Sequence, residues 1–325
     1  MSVCEASSAA TSPGHAEEVR VPTTGQPVSV VVPTRDRPEM LARCLASVRA
    51  SLRDGDELVV VDSASRDAGA VRGVAERYGA RVVRCDVPGV DLARNAGWPA
   101  GSRSLVLFTD DDVVVDAGWA DAFSRCAAEH PEAAFLTGWI GVPDGQQRGY
   151  EVAIKDDDMP AVLDRSTRGI LGHGASLAVR REVLVAVGGW DEALGSGARF
   201  QSSPEVDLFD RMLAAGHTGR FCPEARAWHD QWRAGTEIVR LHLRYGTGAG
   251  ARLAKLIRTD RGRFRHVARE CLWDWGFVAL GQHLRERDLR RALVALTRMS
   301  GYLIGFVRAL AVPVRDGHFR PRRAR

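Results

Sequence analysis

Three consecutive carboxylates, Asp110, Asp111 and Asp112, directly follow the apolar run Leu105-Val106-Leu107-Phe108. A short uncharged run without Gly or Pro reads as a buried parallel strand, and its carboxyl end is where open α/β sheets bind ligands. Three like charges there repel one another and raise one another's pKa unless a cation or hydrogen-bond donors intervene. A divalent metal on oxygen ligands, with a phosphate completing its coordination, resolves the repulsion. Other residues suit the same chemistry. Asp62 closes the apolar run Leu58-Val59-Val60-Val61, where its carboxylate can accept a hydrogen bond from a ligand's N–H. Arg94 can neutralise a diphosphate, Asn95 can anchor its loop, and Thr34 and Arg37 lie in a loop suited to base, ribose or phosphate. His229 follows a Trp at the end of an expected strand. It can add a neutral nitrogen ligand, which favours Mn²⁺ over Mg²⁺.

The elements that must hold these residues follow from hydrophobic periodicity. Val28–Val32 reads as a strand stopped by Pro33, and residues 38–52 as a helix with Pro38 in its first turn and Leu41, Leu45 and Val48 on one face. A strand at 58–61, a helix near 68–78, a strand at 81–85, a short helix at 91–97 and a strand at 104–109 follow. Such alternation implies right-handed crossovers and a parallel sheet. Beyond residue 112 the pattern loosens. It predicts a helix at 117–129, a strand near 134–140, a loop over 141–160, a Gly-rich segment from Gly169 to Gly174, a strand at 175–179 and a helix at 181–187. A turn at 188–192 and an amphipathic helix at 204–215 complete it. Asp156-Asp157-Asp158 follows no strand and reads as a solvated loop.

In order along the chain stand Val31-Val32-Pro33-Thr34-Arg35-Asp36-Arg37, Val60-Val61-Asp62-Ser63-Ala64-Ser65, Ala93-Arg94-Asn95-Ala96-Gly97, Thr109-Asp110-Asp111-Asp112, Gly188-Gly189-Trp190-Asp191-Glu192 and Trp228-His229. Together, over roughly residues 28–232, these pieces resemble the family 2 glycosyltransferases of GT-A fold. The resemblance implies a Rossmann-like α/β domain with a mostly parallel sheet flanked by helices, here carrying a helical C-terminal extension. Pro33, Thr34, Asp36, Arg37, Asp62, Arg94, Asp110 and Asp111 would contact the nucleotide-sugar, although Asp36 stands where the family usually has Asn. Asp110 would touch the ribose or sugar. Asp112, with His229, would bind Mn²⁺ or Mg²⁺ bridging both phosphates. His173, Ser176, Trp190 and Asp191 fall on the family's acceptor side.

The family usually carries Glu-Asp at the start of the following helix, whereas this chain reads Ser203-Pro204-Glu205-Val206-Asp207. Glu205 then takes the catalytic-base position, with Asp207 as the other candidate. The implied reaction is inverting, metal-dependent sugar transfer from a nucleotide-sugar, UDP-linked by expectation, to a hydroxyl on a small molecule, glycan or lipid-linked acceptor. A nucleotide-sugar-binding protein impaired at its base is the alternative that Pro204 motivates. Sugar-phosphate nucleotidyl transfer is a third reading, but it wants a Gly-rich basic loop where residues 33–38 read Pro-Thr-Arg-Asp-Arg-Pro. No GxGxxG supports a dinucleotide-dependent oxidoreductase.

Composition sets the outer bounds. The 325 residues are 45% hydrophobic and 26% charged, as in globular proteins, with 43 Arg against two Lys. Residues 1–230 carry 24 basic and 34 acidic side chains, net −10, whereas 231–325 carry 21 basic and 7 acidic, net +14. The expected organisation is a disordered leader over 1–26, a transferase domain over 27–232 (nucleotide half 27–115, acceptor half 116–232) and a basic helical region over 233–325. Six scattered cysteines without CxxC suggest reduced thiols in a cytoplasmic protein. No signal peptide is apparent, and no run reaches the roughly 18 uncharged residues of a spanning helix. In the tail, Leu289, Leu293, Leu296, Leu303, Val307 and Leu310 recur at helical spacing among arginines. Either this stripe packs on the catalytic domain, or it lies on an anionic membrane at the inner face. No nucleic-acid partner is expected.

Overall fold

The computed structural model describes residues 25–143, 154–230, 233 and 235–320. The expected leader lies outside them but for its last two positions. The first half builds β1 (Val28–Thr34), α1 (Pro38–Ser51), β2 (Glu57–Ser63), α2 (Ala68–Arg77), β3 (Arg81–Cys85), α3 (Val90–Gly97) and β4 (Leu105–Phe108). β1 is buried at every position, so its alternating side chains feed two cores. Val30 and Val32 join Leu41, Leu45 and Val48 of α1 on one side of the sheet, while Val31 packs with Phe108 and Trp190 on the other.

The second half contains β5 (Val113–Val115), α4 (Trp119–Glu129), β6 (Ala133–Gly141), β7 (Ala161–Leu163), β8 (Leu177–Arg180), α5 (Arg181–Ala186), α6 (Pro204–Ala214) and β9 (Thr218–His229). All nine strands share one sheet, ordered β3-β2-β1-β4-β8-β6-β9-β5, with β7 on β9. β1 to β4 pair in parallel, as do β6 and β9. β8 runs antiparallel to both β4 and β6, and β5 and β7 run antiparallel to β9. The sheet is therefore mixed beyond β4. β5 and β7 escape a periodicity reading because three residues hold too little of a pattern.

One expectation is corrected here. Cys126 of α4 and Cys222 of β9 form a disulfide, while Cys44, Cys85 and Cys271 are free and buried. The partners lie 96 residues apart and meet only because α4 packs against β9. The thiols are thus not all reduced, and cysteine usage no longer argues for a reducing compartment.

The tail forms α7 (Thr236–Thr259), α8 (Arg261–Arg269), a π-helical stretch Glu270–Val278, α9 (Ala279–Arg285) and α10 (Leu289–Leu310), followed by a small hairpin of β10 (Val314–Arg315) and β11 (His318–Phe319). α10 meets α7 through glycines: a Cβ added at Gly246, Gly250 or Gly305 would overlap a backbone carbonyl oxygen of the facing helix. Its buried side is Ala292, Ala295, Gly301, Tyr302, Gly305 and Ala309. The leucine stripe is consequently turned outward, with Leu289 73% and Leu303 67% exposed. The stripe does not pack on the catalytic domain, because small residues give the closer approach and so decide which face docks. Leu289–Leu310 is, by length and composition, long and apolar enough to cross a bilayer, although no wholly uncharged run of that length exists.

The glycine seam yields a test. Gly250→Val should destabilise the protein by about 1–3 kcal/mol through overpacking. Leu303→Ser, on the exposed face, should stay within about 0.5 kcal/mol of wild type. Urea unfolding of the two variants checks both.

Candidate active site

Parallel pairing of β1 with β2 and β4 brings their carboxyl ends side by side, with Thr34 in register with Asp62. The loops leaving these ends wall a cavity of about 430 Å³. Its floor is the acidic triplet. Thr34 Oγ1 donates to Asp111 Oδ2 at 2.7 Å, and Arg37 Nη1 donates to Asp111 Oδ1 at 3.0 Å and to Asp112 Oδ2 at 3.3 Å. Burial first, then the Asp112 charge, pushes the Asp111 carboxyl up to about 6. Asp110 accepts from Arg94 Nη2 at 2.8 Å. Arg94 itself is buried, bonded to Asp91 at 3.1 Å and stacked 4.4 Å from the Trp190 ring centre.

β5 and β9 pair so that Val113 lies beside His229, which carries the histidine to the triplet. His229 Nε2 stands 3.5 Å from Asp112 Oδ1. One ligand atom each from Asp110, Asp112 and His229 falls within 4.8 Å of the others. Two carboxylates and an imidazole gathered at a cavity wall, with Arg37 beside Asp112 and Arg94 beside Asp110, suit a divalent cation; the donor set fits Mn²⁺ or Mg²⁺. The expectation named Asp112 and His229 for this role, and the fold adds Asp110.

Opposite the triplet stands the first turn of α6. Ser203 adopts a left-handed φ of 66°, a conformation few non-glycine residues take, and turns the chain into Pro204 at the head of the helix. Glu205 follows and lines the cavity with His173, whose imidazole pKa burial lowers. The helix is held from behind. Phe209 stacks on Phe135 at 5.0 Å, Asp210 accepts from Arg252 and Arg263, and Asp207 pairs with Arg211 at 3.0 Å and with Lys255 at 2.6 Å.

The other expected residues divide. Pro33, Thr34, Asp36, Arg37, Arg94, Asp110, Asp111, Asp112, His173, Glu205 and His229 line the cavity. Asp36 also ties two loops together, its N–H donating to Ser65 Oγ and its carboxylate accepting from Arg66 N–H. Asp62 lies below the lining, its oxygens taken by Ser65 N–H and Arg84. Asp207 is buried in its ion pairs away from the cavity, as is Asp191, which accepts from Lys255 at 2.5 Å and from Phe319 N–H. Ser176 is buried, accepting from Trp119 Nε1, and Trp190 supports Arg94 from beneath. Sequence reading missed the strap Gly195–Gly197 with Gln201–Ser203, and Arg233 and Tyr245, all of which line the cavity. The strap was visible as a Gly-Ser-Gly run. Nothing local marked Tyr245, which arrives on α7.

Residues 29–183 match glycosyl transferase family 2. The chain is 35% identical over 113 residues to a TPR repeat-containing protein of Synechococcus elongatus, covering 34% of this chain and 26% of that protein. It is 30% identical over 222 residues to the O-antigen biosynthesis protein RfbC of Myxococcus xanthus, covering 61% of this chain and 17% of that one. It therefore spans about a quarter or less of either relative. Among solved structures, the mannosyltransferase PcManGT of Pyrobaculum calidifontis, in complex with GDP-Man and Mn²⁺, superposes with a TM-score of 0.59 at 19% identity over 90% of this chain and 91% of that one. Residues 1–349 of S. aureus TarS in complex with UDP-GlcNAc give 0.51 at 14% over 85% and 92%. At these identities the likeness is one of fold, the GT-A arrangement with its helical C-terminal region.

The Lys255 junction yields a stability test. Burial alone would raise the Asp207 carboxyl, but Lys255 and Arg211 hold it below its usual value. Its stabilising ionisation is thus fully present above the unfolded pKa of about 3.9 and is lost as pH falls through the lower folded value. Lys255→Met leaves Asp191 and Asp207 buried without their shared cation, and should cost about 3–5 kcal/mol at pH 7. Urea unfolding should show that deficit shrinking toward pH 4, as the stranded carboxyls protonate.

Proposed function

We propose that the chain, whose residues 29–183 match glycosyl transferase family 2, moves a sugar from a nucleotide-sugar to an acceptor hydroxyl with inversion. The observation that carries the reading is one cavity lined together by Arg94, the acidic triplet and Glu205 from the first turn of α6. Thr34, Asp36 and Arg37 hold the nucleotide end. The guanidinium of Arg94, fixed by Asp91, Asp110 and Trp190, sits ready to offset charge gathering on the leaving diphosphate. Asp110, Asp112 and His229 would hold the divalent cation, whose Lewis acidity on the diphosphate is what it supplies when bound.

Glu205 takes the proton from the acceptor hydroxyl as that oxygen attacks the anomeric carbon and the bond to the diphosphate breaks. Its place on a helix secured by buried ion pairs gives the base a fixed position, which is worth as much as its basicity. Asp207, committed to Lys255 and Arg211, serves that positioning instead. UDP is the nucleotide we expect, and the relatives in complex with GDP-Man and UDP-GlcNAc mark the two bases to compare.

A panel of UDP- and GDP-sugars with Mn²⁺, read by slow donor hydrolysis, tests the reading. Nucleotide binding without any turnover would instead favour a binding protein. Glu205→Gln should bind donor normally and lose about 10²-fold or more in kcat, as for removal of a general base. Asp207→Asn should act chiefly by lowering the melting temperature. Chelation with EDTA and Asp112→Asn should each abolish nearly all turnover and weaken Mn²⁺-dependent nucleotide binding. Full activity in EDTA would remove the metal from the mechanism.

A further inference from the structure

We propose that the outward face formed by the π-helical stretch, α9 and α10 docks on an anionic lipid bilayer, so that the cavity meets an acceptor carried by that bilayer. The second clause rests on the transfer reaction above; the first does not. Leu289, Leu293, Leu303 and Val307 of α10 and Trp273 and Phe277 before it are all more than half exposed. Soluble monomers rarely display an apolar surface this continuous without a partner for it. Rotation of α10 cannot hide it, because the glycine seam with α7 leaves no room for a larger side chain to turn inward.

Charge selects the partner. Arg285, Arg287 and Arg290 are exposed at one end of α10, and Arg308, Arg315 and Arg320 at or beyond the other. Exposed Arg285, Arg287, Arg290 and Arg308 flank the apolar strip, so two copies meeting through this face would bring like charges together. An apolar strip with cations at its ends and tryptophans beside it matches the headgroup region of a negatively charged membrane. The helix would lie along the surface. Its inner side is bound to α7, which buries His242, Arg252 and Lys255, groups that hydrocarbon would not accept.

The same helix pair touches the cavity. Arg298 of α10 donates to His242 of α7 at 3.1 Å, and the His242 ring lies 5.6 Å from that of Tyr245, a cavity-lining residue. The side of α10 that meets α7 is thus linked through His242 to a residue that lines the cavity.

Flotation of the full chain with vesicles of phosphatidylglycerol in phosphatidylcholine, against phosphatidylcholine alone, is the test. The protein should float with the anionic vesicles at low salt, and high salt should release it. The double substitution Leu293→Glu, Leu303→Glu should weaken flotation by about tenfold or more, with melting temperature and vesicle-free donor hydrolysis unchanged. Wild-type protein that stays unbound at low salt overturns the proposal. So does a dimer in light scattering that the double substitution dissociates, since the face would then belong to a second copy. Intact flotation without donor hydrolysis strikes only the transfer reaction and leaves the docking surface standing.

Discussion

A carboxylate removed from water must find a cation or several donors, because the desolvation of an unpaired charge amounts to several kcal/mol. This chain buries many acids, and the answer given to each one shapes the molecule. Asp111 is met by Thr34 and Arg37, Asp91 by Arg94, Asp210 by Arg252 and Arg263, and Asp207 and Asp191 by Lys255. The first two pairings close the nucleotide side of the cavity. The last three reach across more than forty residues of chain to bring the C-terminal helices against α6 and the turn at Asp191. Among the described residues, the metal-type cluster is where carboxylate oxygens and a histidine nitrogen gather at a cavity wall.

Two classes of constraint meet at α6. Its apolar side, with Leu208, Phe209 and Met212, sits under the sheet, and its acidic side faces basic helices. Glu205 belongs to neither side. It stands at the head of the helix, where Ser203 turns the chain in a left-handed conformation. Rigid backing with a free end is the arrangement that a positioned base requires.

The first four strands were legible in the sequence because their information is local. β1, β2, β3 and β4 are runs of strand-forming residues separated by helices, and the acids Asp62 and Asp110 to Asp112 stand at or directly after strand ends in the chain itself. Legibility failed where meaning depended on distant partners. Asp62 and Asp207 carry the right chemistry, but only the fold reveals Arg84 and Lys255 consuming them. Cys126 and Cys222 carried no spacing signal for the same reason. In α10 the pattern located an apolar stripe and the arginines, yet helical periodicity cannot say which face a neighbour takes. Glycine and alanine took it, and the leucines were left outside.

The position of Lys255 has a further consequence, in the order in which the molecule can be assembled. A chain emerging from the ribosome can pair β1, β2, β3 and β4 early, since all four lie within residues 28–108 and are made first. β4 must then wait for β8, and β6 for β9. The acids of α6 wait longer still, because their counter-charges at Lys255, Arg252 and Arg263 are made after every strand of the large sheet. A nascent chain stopped before α7 would hold a formed nucleotide shelf beside a helix whose buried face repels itself. Completion of the site is therefore among the last events of folding, and it falls to the segment that the sequence motifs say least about.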